Sequence, residues 1–171
     1  MKVIFAIFIF LLIGVIQSCQ KGENNQLTKQ ELAVYKTILG NKPKEIVVID
    51  VKSVGVLGEI ETGELKKLLN NLQNDTFDNF VKANAVPPKI ESDIQADFNY
   101  PLVNGINFNN DNLEHNRYYV FSRVGFSRDG KQAVVMFAFN CFALCGRGAY
   151  YLLENKNGLW KITQELETWR S

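Results

Sequence analysis

Residues 118–153 read YYVFSRVGFSRDGKQAVVMFAFNCFALCGRGAYYLL, and the fold turns on this stretch. A β-branched and aromatic run over 118–126 meets the turn sequence Ser127-Arg128-Asp129-Gly130 and returns over 132–140. In the returning run, Ala133-Val134-Val135-Met136-Phe137-Ala138-Phe139 is apolar at every position. Such a strand needs cover on both faces and belongs at the centre of a sheet. A loop carrying Cys141 and Cys145 leads to a further strand over 149–153. Asn157-Gly158 then supplies a tight hairpin turn. The last strand runs over 159–166, with Trp160 and Ile162 on one face and Lys161 and Thr163 on the other. Four strands in succession, joined by short connections, predict an antiparallel meander.

The chain before this stretch is mostly helical in pattern. Thr28-Lys29-Gln30-Glu31 is a capping box, in which the Thr28 hydroxyl and the Glu31 carboxylate each bind the other's backbone N–H. Leu27 and Leu32 stand at staple positions, Leu32, Tyr35, Ile38 and Leu39 share one face, and Gly40 ends the helix. Residues 44–51 (KEIVVIDV) predict a strand. Gly55 and Gly58 mark a loop, and the Leu65, Leu68, Leu69, Leu72 spacing from Gly63 to about residue 74 is helical again. A further short helix begins at Asp75 or Thr76 and turns Phe77, Phe80 and Val81 inward, and Pro87-Pro88 stops it. Residues 87–116 are the least regular part and read as a long loop with some strand inside it, the kind of segment where ligand contacts gather. The order predicts an α+β fold: an antiparallel meander sheet of about four to five strands with two or three N-terminal helices packed on one face.

At the front, Met1-Lys2 precedes an unbroken apolar run over 3–16 and then Gln17-Ser18-Cys19. The run is shorter than the about 20 residues a spanning helix needs, and the whole has the parts of a secretory signal. Its end resembles a bacterial lipobox, with Ile16 three before the cut, Ser18 just before it, and Cys19 as the residue that receives lipid. The resemblance implies a signal peptide at 1–18, a lipidated Cys19 with a flexible polar tether over 19–26, and a single globular domain over 27–171. It further implies acylation, including a palmitate-type chain, and anchoring in the bacterial cell envelope, the outer membrane first, with the membrane as partner through the N-terminal lipid. Each buried methylene contributes about 0.8 kcal/mol, so several acyl chains make a lasting anchor. The alternative is an ordinary secreted protein or an uncut N-terminal anchor. Of 19 Lys and Arg, one is Lys2 in the leader, against 18 Asp and Glu. The mature chain is therefore close to neutral, which excludes nucleic acid as the expected partner.

Tyr100-Pro101 with Gly105, the run Phe121-Ser122-Arg123-Val124-Gly125-Phe126-Ser127, Gln132-Ala133, Gly146 and Gly148, Tyr150, Asn157-Gly158-Leu159-Trp160 and Trp169-Arg170-Ser171 recur together. They resemble a family of bacterial secreted and lipid-anchored proteins with a Ser-Arg-Val-Gly-Phe strand and a C-terminal Gly-x-Trp strand. Glu31 with Tyr35, and Phe80 with Asn84, fit its front half. The likeness covers most of the mature chain and implies no reaction, because the family carries no established catalytic residue. The chain departs from the pattern at 140–145, where its cysteine pair stands in place of small residues.

Several side chains carry candidate chemistry. Cys141 and Cys145, with three residues between them at a hairpin tip outside the cytoplasm, read first as a structural disulfide. Closing so short a loop contributes at or below the usual about 2–4 kcal/mol. Redox catalysis, which favours Cys-x-x-Cys at a helix N-terminus, and free buried thiols are the alternatives. His115 is the single histidine. It reads as a loop residue, and a metal site would have to join it to the two thiols and a carboxylate such as Glu114. No metal or cofactor is implied. Arg123, inside an apolar strand, must reach solvent or find a partner. Arg147, between two glycines, is a candidate to bind an anion or to bridge to a carboxylate such as Glu165. Tyr118, Tyr119, Tyr150 and Tyr151 suggest either cross-strand packing or an aromatic surface for a peptide, a glycan or a protein partner. The ligand candidates are thus Arg147, Arg123 and His115, with no catalytic residue assigned. The functional expectation is a non-catalytic binding or scaffolding domain. The alternative is an envelope hydrolase using His115 or an acid pair such as Glu165 and Glu167. Metabolic labelling with a fatty-acid probe should mark the protein, and Cys19→Ala should abolish the label; label retained in that variant would overturn the anchor.

Overall fold

The computed structural model describes residues 25–50, 65, 69–105, 117–141 and 145–171. Cys19, the tether before residue 25, the strand end and loop over 51–64, and His115 lie outside them, as does most of the helix expected from Gly63. Among the described residues the elements run α1 (Lys29–Leu39), β1 (Ile46–Ile49), α2 (Asn74–Ala83), α3 (Ser92–Asp97), β2 (Leu102–Asn104), β3 (Tyr118–Phe121), β4 (Gly125–Phe126), β5 (Gln132–Cys141), β6 (Cys145–Lys156) and β7 (Leu159–Arg170). The class is α+β, as the pattern predicts. The sheet is larger than a meander of four to five strands. Its seven strands follow the order β2-β1-β3-β5-β6-β7, with β4 beside β5. The part from β3 onward is antiparallel, while β1 lies parallel to both β2 and β3. Local pattern identified 44–51 as a strand but not its parallel partners, because a parallel pair is joined through a long crossover.

The helices do not share one face. α1 and α3 cover one side, where Leu32, Tyr35, Ile38, Ile94 and Phe98 pack on Val47, Phe121, Val135 and Phe137. On the other side, Phe77 and Phe80 of α2 join Leu65 and Leu69 over Val48, Val120, Val134 and Met136. The apolar 133–138 part of β5 is therefore central and covered on both faces. Val81 points away from the core and is 45% exposed, against the inward position expected for it. α2 ends at Ala83 with Asn84 as its C-cap, short of Pro87-Pro88. Within the irregular 87–116 region the described residues include α3 and β2. At the last hairpin Trp160 is buried as expected, but Ile162 is 42% exposed. A register shift beside Leu152 and Leu153 sets Leu153 against Ile162 and Leu152 against Gln164.

The run over 118–126 is not one strand. Phe121 pairs with Phe137 and Gly125 with Val134, so this chain advances one residue more than β5 does between the two pairs. That is the signature of a bulge, and it swaps the faces: Tyr119 and Phe121 look toward α1 before it, Val124 and Phe126 after it. Beyond the Ser122 N–H, which bonds the Met136 carbonyl at 3.0 Å, residues 122–124 are held largely by side chains. The Ser122 hydroxyl accepts from the Met136 N–H at 2.9 Å, and Tyr35 donates its hydroxyl to the Ser122 carbonyl at 2.9 Å. Asn84 brackets Arg123, its carbonyl accepting the Arg123 N–H at 2.8 Å and its amide donating to the Arg123 carbonyl at 3.0 Å. Gly125 is required beside this break, because a Cβ there would collide with the backbone of Phe80 on α2.

The bulge delivers Arg123 to α1. Its Nε lies 2.5 Å from Glu31 Oε1 and its Nη2 3.0 Å from Oε2, a two-pronged pair with side chains 8% and 2% exposed. The same carboxylate accepts the Thr28 N–H at 2.9 Å, the Thr28 hydroxyl at 3.0 Å and the Val124 N–H at 3.3 Å. The capping box read from sequence is thus present, and its acid has a second task. Arg123→Ala should lower the unfolding free energy by about 3–5 kcal/mol, since it strands a buried carboxylate. Replacing both charges (Glu31→Leu with Arg123→Met) should cost less than Arg123→Ala alone in urea melts.

Candidate functional site

α1 stops before it has crossed the sheet, and the uncovered part becomes a groove. The helix closes at Gly40, which has φ +53°, the left-handed region in which glycine avoids a Cβ penalty. Lys42 and Pro43 follow at once and form one wall, with Glu45 just beyond. The floor is aromatic. Strand pairing sets Tyr119 beside Phe139 and Phe139 beside Arg147, with Phe137 one step along. Ring centroids of Tyr119 lie 5.8 Å from Phe137 and 5.4 Å from Phe139. Arg117, immediately before β3, and Arg147, on β6, stand on opposite sides of this floor. The cavity they line measures about 250 Å³.

Three cations therefore rim an apolar floor, and each is placed by a local cause. Lys42 donates its Nζ to the Ile38 carbonyl at 2.6 Å, satisfying one of the unpaired carbonyls of the last helical turn, and sits 5.8 Å over the Phe137 ring. Burial, then the charge of Arg147, holds the Lys42 ammonium below its ordinary pKa, against a smaller opposing pull from Glu165. Arg147 faces the groove because it alternates with Gly146 and Gly148, which face the other way. A Cβ on either glycine would strike the Trp169 indole, so the glycines form the seat on which Trp169 lies across the strand. Arg117 makes no hydrogen bond or ion pair among the described residues.

Arg147 meets Glu165 at 3.5 Å and donates from the same Nη2 to the Tyr151 hydroxyl at 3.1 Å. The bridge to Glu165 is the one anticipated from sequence. Both side chains are 38% exposed, so the pair leaves the remaining guanidinium donors open to the groove. Burial first, then the Glu165 carboxylate, pushes the Tyr151 hydroxyl up to about 12, with Arg147 pulling the other way. Tyr119 is also raised, chiefly by burial and next by Glu45.

The other sequence candidates fall differently. Arg123 is paired with Glu31 inside the core, its side chain 8% exposed. His115 lies outside the described residues. The four tyrosines do not form one surface, because β5 separates β3 from β6 and successive residues face opposite sides. Tyr119 and Tyr151 look toward α1, Tyr118 and Tyr150 toward α2. Glu165 and Glu167 each engage a different arginine, Arg147 and Arg170, and so are not poised as a pair. The sulfurs of Cys141 and Cys145 lie at disulfide distance on directly opposed residues, with Cα atoms 5.3 Å apart. Among the described residues no three His, Cys, Asp or Glu side chains gather as metal ligands, and no helix is long and apolar enough to cross a membrane. Sequence reading missed Lys42, Arg117, Phe137 and Phe139 as site residues. The available signal was the aromatic alternation of Tyr119/Phe121 with Phe137/Phe139 once those strands are paired.

The folded chain keeps the Tyr151 proton that an unfolded chain loses from pH 10 upward, so this group's contribution to stability is full below pH 10 and is lost as pH rises toward about 12. In a Cζ-labelled tyrosine NMR titration, Glu165→Gln should bring the Tyr151 midpoint down and Arg147→Gln should move it up. Comparison with protein-family models, curated proteins and solved structures gives no match for this chain.

Proposed function

We propose that the protein is a lipid-anchored binding domain of the bacterial cell envelope, outer membrane first, whose ligand site is the groove past the end of α1. The anchor rests on the lipobox-like end of the leader and on Cys19. The binding reading rests on one observation: Lys42, Arg117 and Arg147 converge on an aromatic floor made of the half-buried Phe139 and the buried Tyr119 and Phe137. A concave apolar surface with a few convergent polar groups is the usual make-up of a small-ligand site. The ion pairs of Glu165 and Glu167 favour binding over acid–base work, since each carboxylate already serves an arginine.

A thermal-shift screen of sugars, peptides, envelope lipids and small organic anions on the full chain tests this. Stabilising compounds should lose their effect in Phe139→Ala and Arg117→Ala and keep it in His115→Ala. Hits that persist in both groove variants would place binding elsewhere, and turnover lost in His115→Ala would replace the binding reading with an enzymatic one.

A further inference from the structure

The groove's charge and shape narrow its ligand to one chemical class. Its cations outnumber its acids only slightly: Lys42, Arg117 and Arg147 stand against Glu45 on the rim, and Glu165 partly neutralises Arg147 from behind. The local balance is thus close to a single positive charge, which suits one carboxylate better than a doubly charged phosphate. The floor adds a geometric demand. Tyr119 and Phe139 are neighbours in one cross-strand row, and Arg147 is the next residue along it. A planar ring lying on Phe139, the half-buried ring of the row, therefore carries a substituent directly to Arg147. That guanidinium uses Nη2 for Tyr151 and Glu165, while Nε and Nη1 make no hydrogen bond among the described residues. A planar fork of N–H donors is the group that matches a carboxylate. The about 250 Å³ of space falls just below the range typical of sites for drug-sized ligands, about 300–1,000 Å³, and limits the body to a single ring with a short arm.

We infer, building on the groove as binding site, that it takes a small aromatic monocarboxylate, with the ring on Phe139 and the carboxylate held by Arg147 with Arg117 and Lys42 nearby. Glu165 acts as a competitor for Arg147, so it sets the affinity without touching the ring.

Calorimetric titration of the full chain in detergent tests this with 3-phenylpropanoate, its neutral amide, and inorganic phosphate. The carboxylate should bind saturably, and the amide about tenfold or more weaker, because an uncharged group forgoes the charge-assisted pair. Phosphate should not compete. Arg147→Gln and Phe139→Ala should each weaken binding by about tenfold or more, whereas Glu165→Gln should tighten it by releasing the guanidinium. A merely structural role for Glu165 predicts no tightening. Circular-dichroism melts confirm that each variant is folded before its titration is read. Equal binding of acid and amide overturns the inference, as does phosphate competition, or weaker binding in Glu165→Gln. If no carboxylate binds while other compounds give groove-dependent thermal shifts, the ligand class falls and the groove stands. If nothing depends on the groove, both fall.

Discussion

The contact between Glu31 and Arg123 is the constraint on which the remaining structure hangs. A carboxylate and a guanidinium removed from water bear a desolvation cost that their attraction only about offsets. Their effect is therefore one of position more than of net free energy. The Glu31 oxygens close the first turn of α1, hold Arg123 and take the Val124 N–H, so the start of the helix and the interruption of the sheet have a single common point. The bulge cannot slide along β5 without pulling Arg123 away from its acid. From the opposite face Asn84 binds the backbone of the same Arg123 at both its N–H and its carbonyl. Two helices on different sides of the sheet thus meet at one residue.

The groove follows from that placement. With α1 pinned at its first turn to residues 123–124, its 11-residue length decides where it ends, and it ends short of the far part of β3, β5 and β6. Phe139, which continues the core pattern, is left half-buried there beside the buried Tyr119 and Phe137. The same end of β6 carries Gly146 and Gly148, whose missing side chains allow Trp169 to close the α2 face, and it is their alternation that turns Arg147 toward the groove. One short sequence, Gly-Arg-Gly, therefore seals one face of the sheet and charges the other.

Much of the fold was legible because its signals are local. The Thr28–Glu31 box, the Ser127–Gly130 turn, the Asn157-Gly158 hairpin and the apolar 133–139 run each depend on residues a few positions apart. The apolar run also implied cover on both faces, at odds with helices on one side, and the cover on both faces is what the chain adopts. The unreadable parts depend on pairing between distant segments. Nothing in IVVI announces that it lies parallel to LVN and YYVF. A bulge within the continuous run 118–126 leaves hydrophobicity unchanged and shifts only register. At the site, the Arg147–Glu165 bridge could be anticipated because the two strands are adjacent, but residues 42, 117, 139 and 147 converge only once five elements are in place.

The Gln26 carbonyl, which accepts from Arg123 Nη2 at 3.1 Å, has a mechanical meaning. Asn25 and Leu27 bond to Lys89, and one residue further the chain enters α1. A pull on the chain ahead of residue 25 is therefore not taken up by a fraying end. It loads the short bridge to Lys89 and the Arg123 contact together, and through Arg123 it reaches the middle of the sheet. Residues 25–27 are thereby tied both to the segment ahead of α3 and to the interrupted strand in the sheet's interior before α1 begins.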